Sequence, residues 1–324
     1  MANLNRKKHV GYGKEATRGT AVAPTGFFLL KEPASLQVKN VDTEEDGITG
    51  AFSGHLDSQI AQQYVEGDLV GELDPNAEMC FRTFVHVLGE PTTTSGSGGE
   101  QIHTLDLNTS ETPTATIVTN VSDQEKQILG THFESLEIDI SDSETSIKTS
   151  VQGRGEESTS APTVSITPNT SKLLAKHFQC KIADTMAGLS SGVDMKIQKL
   201  NLKASQGSKI QNCLGQIGPD DIHSTKPMCE ITFTGIVRSA EWYAMHIDNE
   251  KKAFQFKGVG TNYASIGSGS AKPTIDIQTP PSSVRVTFQR DKDDVLKFEA
   301  KIKTEWDWTE LTHLRVIITN ALTA

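Results

Sequence analysis

Two acidic clusters in the 324-residue sequence carry the side-chain type that binds calcium. One cluster comprises Asp42, Glu44, Glu45 and Asp46, and the other comprises Asp291, Asp293 and Asp294. Carboxylate oxygens are the ligands that Ca²⁺ prefers in proteins. Neither cluster has the spacing of a calcium-binding loop, so both are interpreted as solvated acidic turns. The sequence therefore predicts no metal ion and no cofactor.

An aromatic pair offers a second kind of chemistry. Trp306 and Trp308 flank Asp307, with Glu305 and Glu310 nearby. Indole rings beside carboxylates can stack on sugars, and they can equally pack a strand end against a neighbouring subunit. A carbohydrate-binding β-sandwich module, secreted or on a virion surface, therefore remains the alternative function.

Catalytic constellations are missing. The segment Gly-Tyr-Gly-Lys at residues 11–14 lacks the preceding strand and the full spacing of a phosphate loop, so it is interpreted as part of an N-terminal arm. The four cysteines, Cys80, Cys180, Cys213 and Cys229, lie far apart without zinc-site spacing and are predicted to be buried free thiols. No coherent set of acid, base and nucleophile emerges. We expect that the chain is not an enzyme.

The charge balance restricts the partners. The chain has 31 basic and 41 acidic residues, a formal net charge of -10, which argues against a generally basic surface for gripping nucleic acid. The apolar run at residues 27–30 is too short for a signal-peptide core or a membrane span. We expect a protein folded in the cytosol, with no membrane insertion and no tight wrapping of DNA.

Strands dominate the hydrophobic pattern. Residues 136–141 alternate apolar and polar side chains, as expected of a half-buried antiparallel strand. The alternation that starts at residue 193 resumes out of phase at Leu200, which predicts a bulge near residues 198–199. Residues 284–302 alternate around a polar turn and predict a hairpin.

Two short helices are predicted, each directly after a strand. Asp74 is the expected cap of the first helix, with Pro75 at its first position and Gly89 at its end. The second helix is expected over residues 239–248, with Ser239 as its cap. A strand followed by a helix thus occurs once in each half of the chain.

These elements predict a mainly β fold. We expect a duplicated antiparallel β domain, each half with one short flanking helix; two β domains that merely share such patterns are the alternative. The expected parts are an N-terminal arm at 1–25, a first domain at 26–153, a linker at 154–172 and a second domain at 173–324.

A series of short motifs keeps a characteristic order along the chain. They are Gly-Lys-Glu to Pro-Thr at 13–25, a Glu-Gly-Asp-Leu strand with its helix at 66–89, His-Thr-Leu at 103–105, Phe-x-Ser-Leu-x-Ile at 133–138, a Thr-Gly strand end at 232–235, a hairpin from Pro281 and a final strand at 314–320. Their order and the total length resemble the major tail tube proteins of long-tailed, non-contractile bacteriophages.

The resemblance implies an antiparallel β-sandwich or barrel-like tail tube domain and a structural role in the virion. Proteins of this family form rings whose strands join edge to edge, and the rings stack into a hollow tube that conducts double-stranded DNA into the host. It implies a ring of three duplicated chains or of six chains, assembly in the bacterial host cytoplasm, and contacts with tape-measure, tail terminator and distal tail proteins.

The resemblance also suggests which residues make these contacts. Candidate ring-stacking residues are Lys14, Glu15, Arg18, Thr20, Glu44, Glu45 and Asp46. The arm that holds the first four is expected to be mobile in the monomer and ordered on assembly. Candidate lumen-facing residues are Glu137, Asp139 and Lys196. An acidic lumen would repel phosphates, whereas Lys196, Lys199 and Lys203 would bring positive charge to the second half.

Overall fold

The fold is known from a computed structural model. It describes residues 10–44, 58–108, 110–121, 124–142, 144–160, 162–164, 171–214, 217–237, 250–261, 263–290 and 296–323. Within these ranges the chain is mainly β and its strand pairs are antiparallel, which confirms the predicted fold class.

The first sheet has eight strands. Their spatial order is β3 (Gln37–Glu44), β4 (Ser58–Gly71), β9 (Thr145–Gly153), β8 (Gln124–Ile140), β13 (Ile197–Ser205), β16 (Met228–Ile236), β20 (Leu296–Lys303) and β19 (Ser282–Arg290). Consecutive strands in this order are paired antiparallel. The first four strands come from the first half of the chain and the last four from the second half.

The second sheet has seven strands. Their order is β12 (Val193–Met195), β11 (Phe178–Ala183), β17 (Lys251–Val259), β18 (Thr274–Gln278), β21 (Arg315–Asn320), β6 (Gln101–Asp106) and β5 (Thr92–Ser95). It again combines both halves, because the last strand of the chain pairs with β6.

A smaller group of strands is built around the start of the chain. β1 (Val10–Lys14) lies between β2 (Gly26–Phe28) and β7 (Ala115–Val121). β7 and β10 (Gly155–Ser158) both pair with the N-terminal part of the long strand β8. Strands β14 (Ser208–Gln211) and β15 (Asp221–Ser224) form a separate hairpin.

One continuous apolar core holds the two large sheets together. Phe233 of the first sheet lies with its ring centroid 5.6 Å from that of Phe254 and 5.8 Å from that of Phe256, both on β17 of the second sheet. The core cluster also contains Phe133 from the first half, so the apolar faces of both halves are buried together. This arrangement is sandwich-like, because each sheet buries one face against the other.

The first predicted helix exists but begins later than expected. Helix α1 spans Glu78–Leu88, and its N-cap position is Ala77, which makes no side-chain cap. Asp74 is fully buried and instead accepts hydrogen bonds from the backbone N–H groups of Asn76 and Ser171. The cap prediction was wrong because a partner distant in sequence binds that carboxylate. Gly89 ends the helix as predicted, with a φ of 113° that favours glycine.

Several other predictions are confirmed. The pairing of β13 with β16 shifts register between Ile197 and Lys199, which is the expected bulge. β19 and β20 form the expected hairpin. Its turn at 291–294 and the predicted helix at 239–248 lie outside the described residues.

The N-terminal segment corrects the expectation of a mobile arm from Val10 onward. β1 is paired on both edges, and Val10 and Tyr12 are buried in the core. Sequence reasoning missed this strand because it has only five residues, two of them glycine. The predicted linker at 154–172 begins with a paired strand, β10. Both large sheets contain strands from each half of the chain. The division into an arm, two domains and a linker stays a prediction.

The two halves of the first sheet repeat one topology. In the first half, β3 pairs with β4, and β4 pairs with β9, the second strand of the β8–β9 hairpin. In the second half, β13 pairs with β16, and β16 pairs with β20, the second strand of the β19–β20 hairpin. We call each set of four strands a quartet. The shared topology agrees with a duplicated fold, although the residue identities differ.

Candidate assembly surface

The first sheet has open edges to which a further strand can pair. Strand pairing to β3 comes from β4 alone in the described chain, and that to residues 284–287 of β19 comes from β20 alone. Val38 and Val41 on β3 are 37% and 42% exposed. An open edge that exposes apolar side chains is an aggregation hazard unless a second strand covers it.

The two quartets are joined inside the chain by pairing β8 with β13. Ile138 lies opposite Leu202 and Leu136 opposite Ala204, and all four side chains are buried in the core. Residues 135–140 pair continuously with 200–205. We call this pairing the internal junction. It shows how the last strand of one quartet meets the first strand of the next.

The predicted lumen-facing residues do not form one cluster. Glu137 and Asp139 lie on the polar face of β8, where they oppose Lys203 and Asn201 across the internal junction. The amide of Asn201 donates a hydrogen bond to Glu137 at 3.0 Å. Lys196 is exposed but lies between β12 and β13, ahead of the bulge.

Charge on the polar face of the first sheet differs between the quartets. The register places these groups of the first quartet there: Lys39, Glu66, Asp68, Glu137, Asp139 and Lys148. It places these groups of the second quartet there: Lys199, Lys203, Glu230, Arg285, Lys297, Glu299, Lys301 and Lys303. Acids outnumber bases in the first quartet and bases outnumber acids in the second. The face is therefore divided between the two signs.

An ion pair stabilises the acidic quartet at Asp68. Its carboxylate accepts a hydrogen bond from the Ser150 hydroxyl at 2.7 Å and lies 2.9 Å from the Lys148 ammonium. Burial raises the pKa of Asp68, but these hydrogen bonds and the lysine charge outweigh burial and lower its pKa overall. Asp68 therefore stays ionised, and its polar contacts join β4 to β9.

Glu15, one of the predicted ring-stacking residues, is buried and bound within the subunit. Its side chain is 6% exposed and its two oxygens accept four hydrogen bonds. The donors are the backbone N–H groups of Gly19 and Gly130 and the hydroxyls of Thr114 and Thr116, at 2.7 to 3.0 Å. The carboxylate is thus used within the subunit, where it joins the N-terminal segment to β7 and β8.

The other candidate stacking residues are dispersed. Lys14 forms an exposed ion pair with Glu90 at 2.7 Å, and Thr20 is exposed. Arg18 is held by Glu111 at 2.8 Å and by Asp221 at 3.2 Å, which ties this segment to β15. Glu44 is the last residue of β3, and its side chain is not among the described ones. Glu45 and Asp46 lie outside the described residues.

The tryptophan pair has unequal exposure. Trp308 is 83% exposed, whereas Trp306 is half-buried with its ring centroid 5.1 Å from that of His313. The two indoles lie at 79° to each other. Only Trp308 therefore presents a large open ring face, and the pair does not form a flat stacking platform.

Three of the four cysteines are packed in the interior. Cys80, Cys180 and Cys229 are buried as predicted, but Cys213 is exposed, so the prediction was wrong there. Burial raises the pKa of Cys229 to about 12. Within the described ranges, no group of three or more His, Cys, Asp or Glu side chains could hold a metal ion. Nor does any described helix have the length and apolar character needed to cross a membrane.

The described chain is thus an antiparallel β-sandwich whose first sheet repeats one quartet and has open edges. The family model for phage tail tube proteins matches residues 5–289 of this chain. The chain therefore belongs to the phage tail tube protein family, a structural and non-enzymatic family of the virion tail. No curated protein sequence matches it.

Proposed function

We propose that this chain assembles into closed rings, and that stacked rings form the hollow tail tube through which double-stranded DNA is ejected into the host. The observation that carries the proposal is the open β3 edge, with exposed Val38 and Val41, at one end of a sheet whose other end is β19. Closing such sheets into a ring removes their edges.

The repeated quartet bears on the number of chains. If each quartet fills one position of a six-position ring, three chains complete the ring, as expected for a duplicated chain. A ring of six chains would instead use one quartet each at the inner wall. Because both quartets lie in one continuous sheet, joined by the internal junction, we favour three chains.

The proposed lumen follows from the polar face of the first sheet. Glu137 and Asp139 would face DNA there, and the basic second quartet would alternate with them around the ring. Because acidic and basic quartets would alternate around the ring, no continuous basic path would hold the phosphates, so DNA can slide. Lys196 is proposed for the lumen on the resemblance alone.

Contacts between rings and with other tail proteins complete the proposal. Exposed Lys14 and Thr20, together with Arg18, Glu44, Glu45 and Asp46, are proposed for stacking, while Glu15 is left within the subunit. We propose tape-measure, tail terminator and distal tail proteins as partners, and assembly in the bacterial host cytoplasm of a long-tailed, non-contractile phage.

Electron microscopy of an edge variant tests ring formation. Val38→Lys places a charge on the β3 edge, and Val193→Lys is the matched control because Val193 is an exposed valine, 57% accessible, on β12 of the other sheet. We expect rings or tubes for the native chain and for Val193→Lys, and folded protein without rings for Val38→Lys, with circular dichroism confirming folding. Unchanged rings from Val38→Lys, or no rings from the native chain, would refute the proposal.

A further inference from the structure

We propose that the contact between neighbouring chains copies the internal junction: β19 of one chain pairs antiparallel with β3 of a second copy, with Val286 opposite Val38. This inference rests on the proposed ring assembly and names the surface and register that close it. The partner is a second copy of this chain.

The equivalence of the quartets is fixed by their hairpins. The last pair of the β8–β9 hairpin joins Ile140 to Thr145, and the last pair of the β19–β20 hairpin joins Arg290 to Leu296. When these pairs are matched, Ile147 corresponds to Phe298 and Ile138 to Phe288. The same match carries through β4 and β16, where Leu69 corresponds to Phe233, a buried side chain in both quartets.

The register then transfers to the open edges. In the internal junction Leu136 lies opposite Ala204, and their equivalents are Val286 on β19 and Val38 on β3. On the polar face, the pair Glu137 and Lys203 becomes Thr287 and Gln37. Equivalent residues lie on the same face of the sheet in the internal junction and in the contact between chains, because side chains along a strand alternate between the two faces.

The side chains at the two edges suit this register. Val286 is 3% exposed and lies on the core face, while Val38 is 37% exposed on the corresponding face of β3. Pairing would extend the apolar layer of one copy into the next and cover Val38. Thr287 and Gln37 are neutral and exposed, so they can hydrogen-bond across strands without burying a charge.

The contact between chains would differ from the internal junction in the charges on its polar face. The internal junction sets Glu137 opposite Lys203 and Ser135 opposite Ser205. The equivalent pairs between chains are Thr287 with Gln37, which are uncharged, and Arg285 with Lys39, which carry like charges. Lys39 is partly compensated by Glu66, 3.1 Å away. Because salt screens the repulsion between exposed like charges, association through β3 and β19 should strengthen as salt is added.

Thiol bridging tests the register in the assembled protein. In a Cys213→Ser background, the pair Gln37→Cys and Thr287→Cys is treated with a short thiol-bridging reagent. The positive control is Glu137→Cys with Lys203→Cys, the equivalent pair of the internal junction, which bridges within one chain. The shifted control is Lys39→Cys with Thr287→Cys, which moves one partner by two residues on the same face.

The outcomes separate the inference from the proposed function. We expect chains bridged to one another in the matched pair, ~10-fold faster than in the shifted pair because diagonal neighbours lie farther apart. The largest bridged species is expected to be a closed trimer. Rings seen by microscopy without bridging, or with faster bridging in the shifted pair, overturn this register and leave ring assembly standing. Absence of rings from the parent chain overturns both.

Discussion

The Tyr12 hydroxyl donates a hydrogen bond to Nε2 of His86 at 2.8 Å, inside the core, and so joins β1 to α1. The other ring nitrogen, Nδ1, donates to the Pro113 carbonyl at 2.8 Å, which fixes a neutral imidazole. The His86 ring also stacks on Phe133 at 4.5 Å between centroids. Complete burial lowers the pKa of His86 to about 3.

Acid should therefore destabilise the subunit. The unfolded chain protonates His86 near its ordinary pKa of 6.5, while the folded chain resists until about 3. The stabilisation is fully present above pH ~6.5 and is lost as pH falls towards ~3. Burial lowers the pKa of His132 to about 4, which adds a second proton in the same direction. Urea unfolding between pH 7 and 5 should show a stability that rises with pH.

The variant His86→Gln isolates one of these protons. Its slope of unfolding free energy against pH should fall by about one proton, ~1.4 kcal/mol per pH unit, relative to the native chain. Tyr12→Phe serves as the comparison because it removes the hydroxyl and leaves the titrating ring buried. Equal slopes for the native chain and His86→Gln would contradict the assignment.

Replacing Glu15 by Gln should destabilise the monomer by ~2 kcal/mol, because the amide nitrogen that replaces one carboxylate oxygen cannot accept the hydrogen bonds made to that oxygen. Each oxygen of Glu15 accepts two hydrogen bonds, so two donors lose their acceptor whichever way the amide is turned. Glu90→Gln is the matched control, since that carboxylate is exposed in its pair with Lys14. Chemical unfolding curves measure both variants, and similar midpoints would refute the role given to Glu15.

One thiol per native chain should react with an aqueous thiol reagent. Cys213 is exposed, whereas Cys80, Cys180 and Cys229 are buried. The hydrogen bond to Asp220 raises the pKa of the Cys213 thiol, so labelling should accelerate with pH. Cys213→Ser should abolish the fast reaction, and denaturant should expose the other three thiols. More than one fast thiol in the native chain would contradict the packing.

Gly67→Ala should loosen the approach to the open edge. A Cβ at Gly67 would lie 2.5 Å from the backbone oxygen of Ser35, just ahead of β3. The segment before β3 must shift, and Val38 with it. Gly155→Ala is the control because nothing lies within 4 Å of its added Cβ. Hydrogen exchange should accelerate at Ser35, whose N–H bonds the Asp68 carbonyl, in Gly67→Ala only.

Local patterns predicted several strands and the end of α1, but neither β1 nor the contacts between distant segments. The alternation at residues 136–141 and the hairpin of β19 and β20 follow directly from side-chain periodicity. The burial of Asp74 and Glu15 was not predicted, because donors that hold these carboxylates lie far along the chain, at Ser171 and Gly130. Sequence alone carries no record of such convergence, since a buried and an exposed carboxylate look the same in it.

In the proposed ring, the strand pairing of β8 with β13 would also govern how assembly responds to dilution. Residues 135–140 and 200–205 belong to one molecule, so their contact has an effective concentration that the bulk solution cannot change. Every second contact around a ring of such chains is already made before two molecules meet. A ring of chains that each carry two quartets brings together half as many molecules as a ring of separate single quartets. Less translational entropy is lost on assembly, so the ring closes at a lower protein concentration.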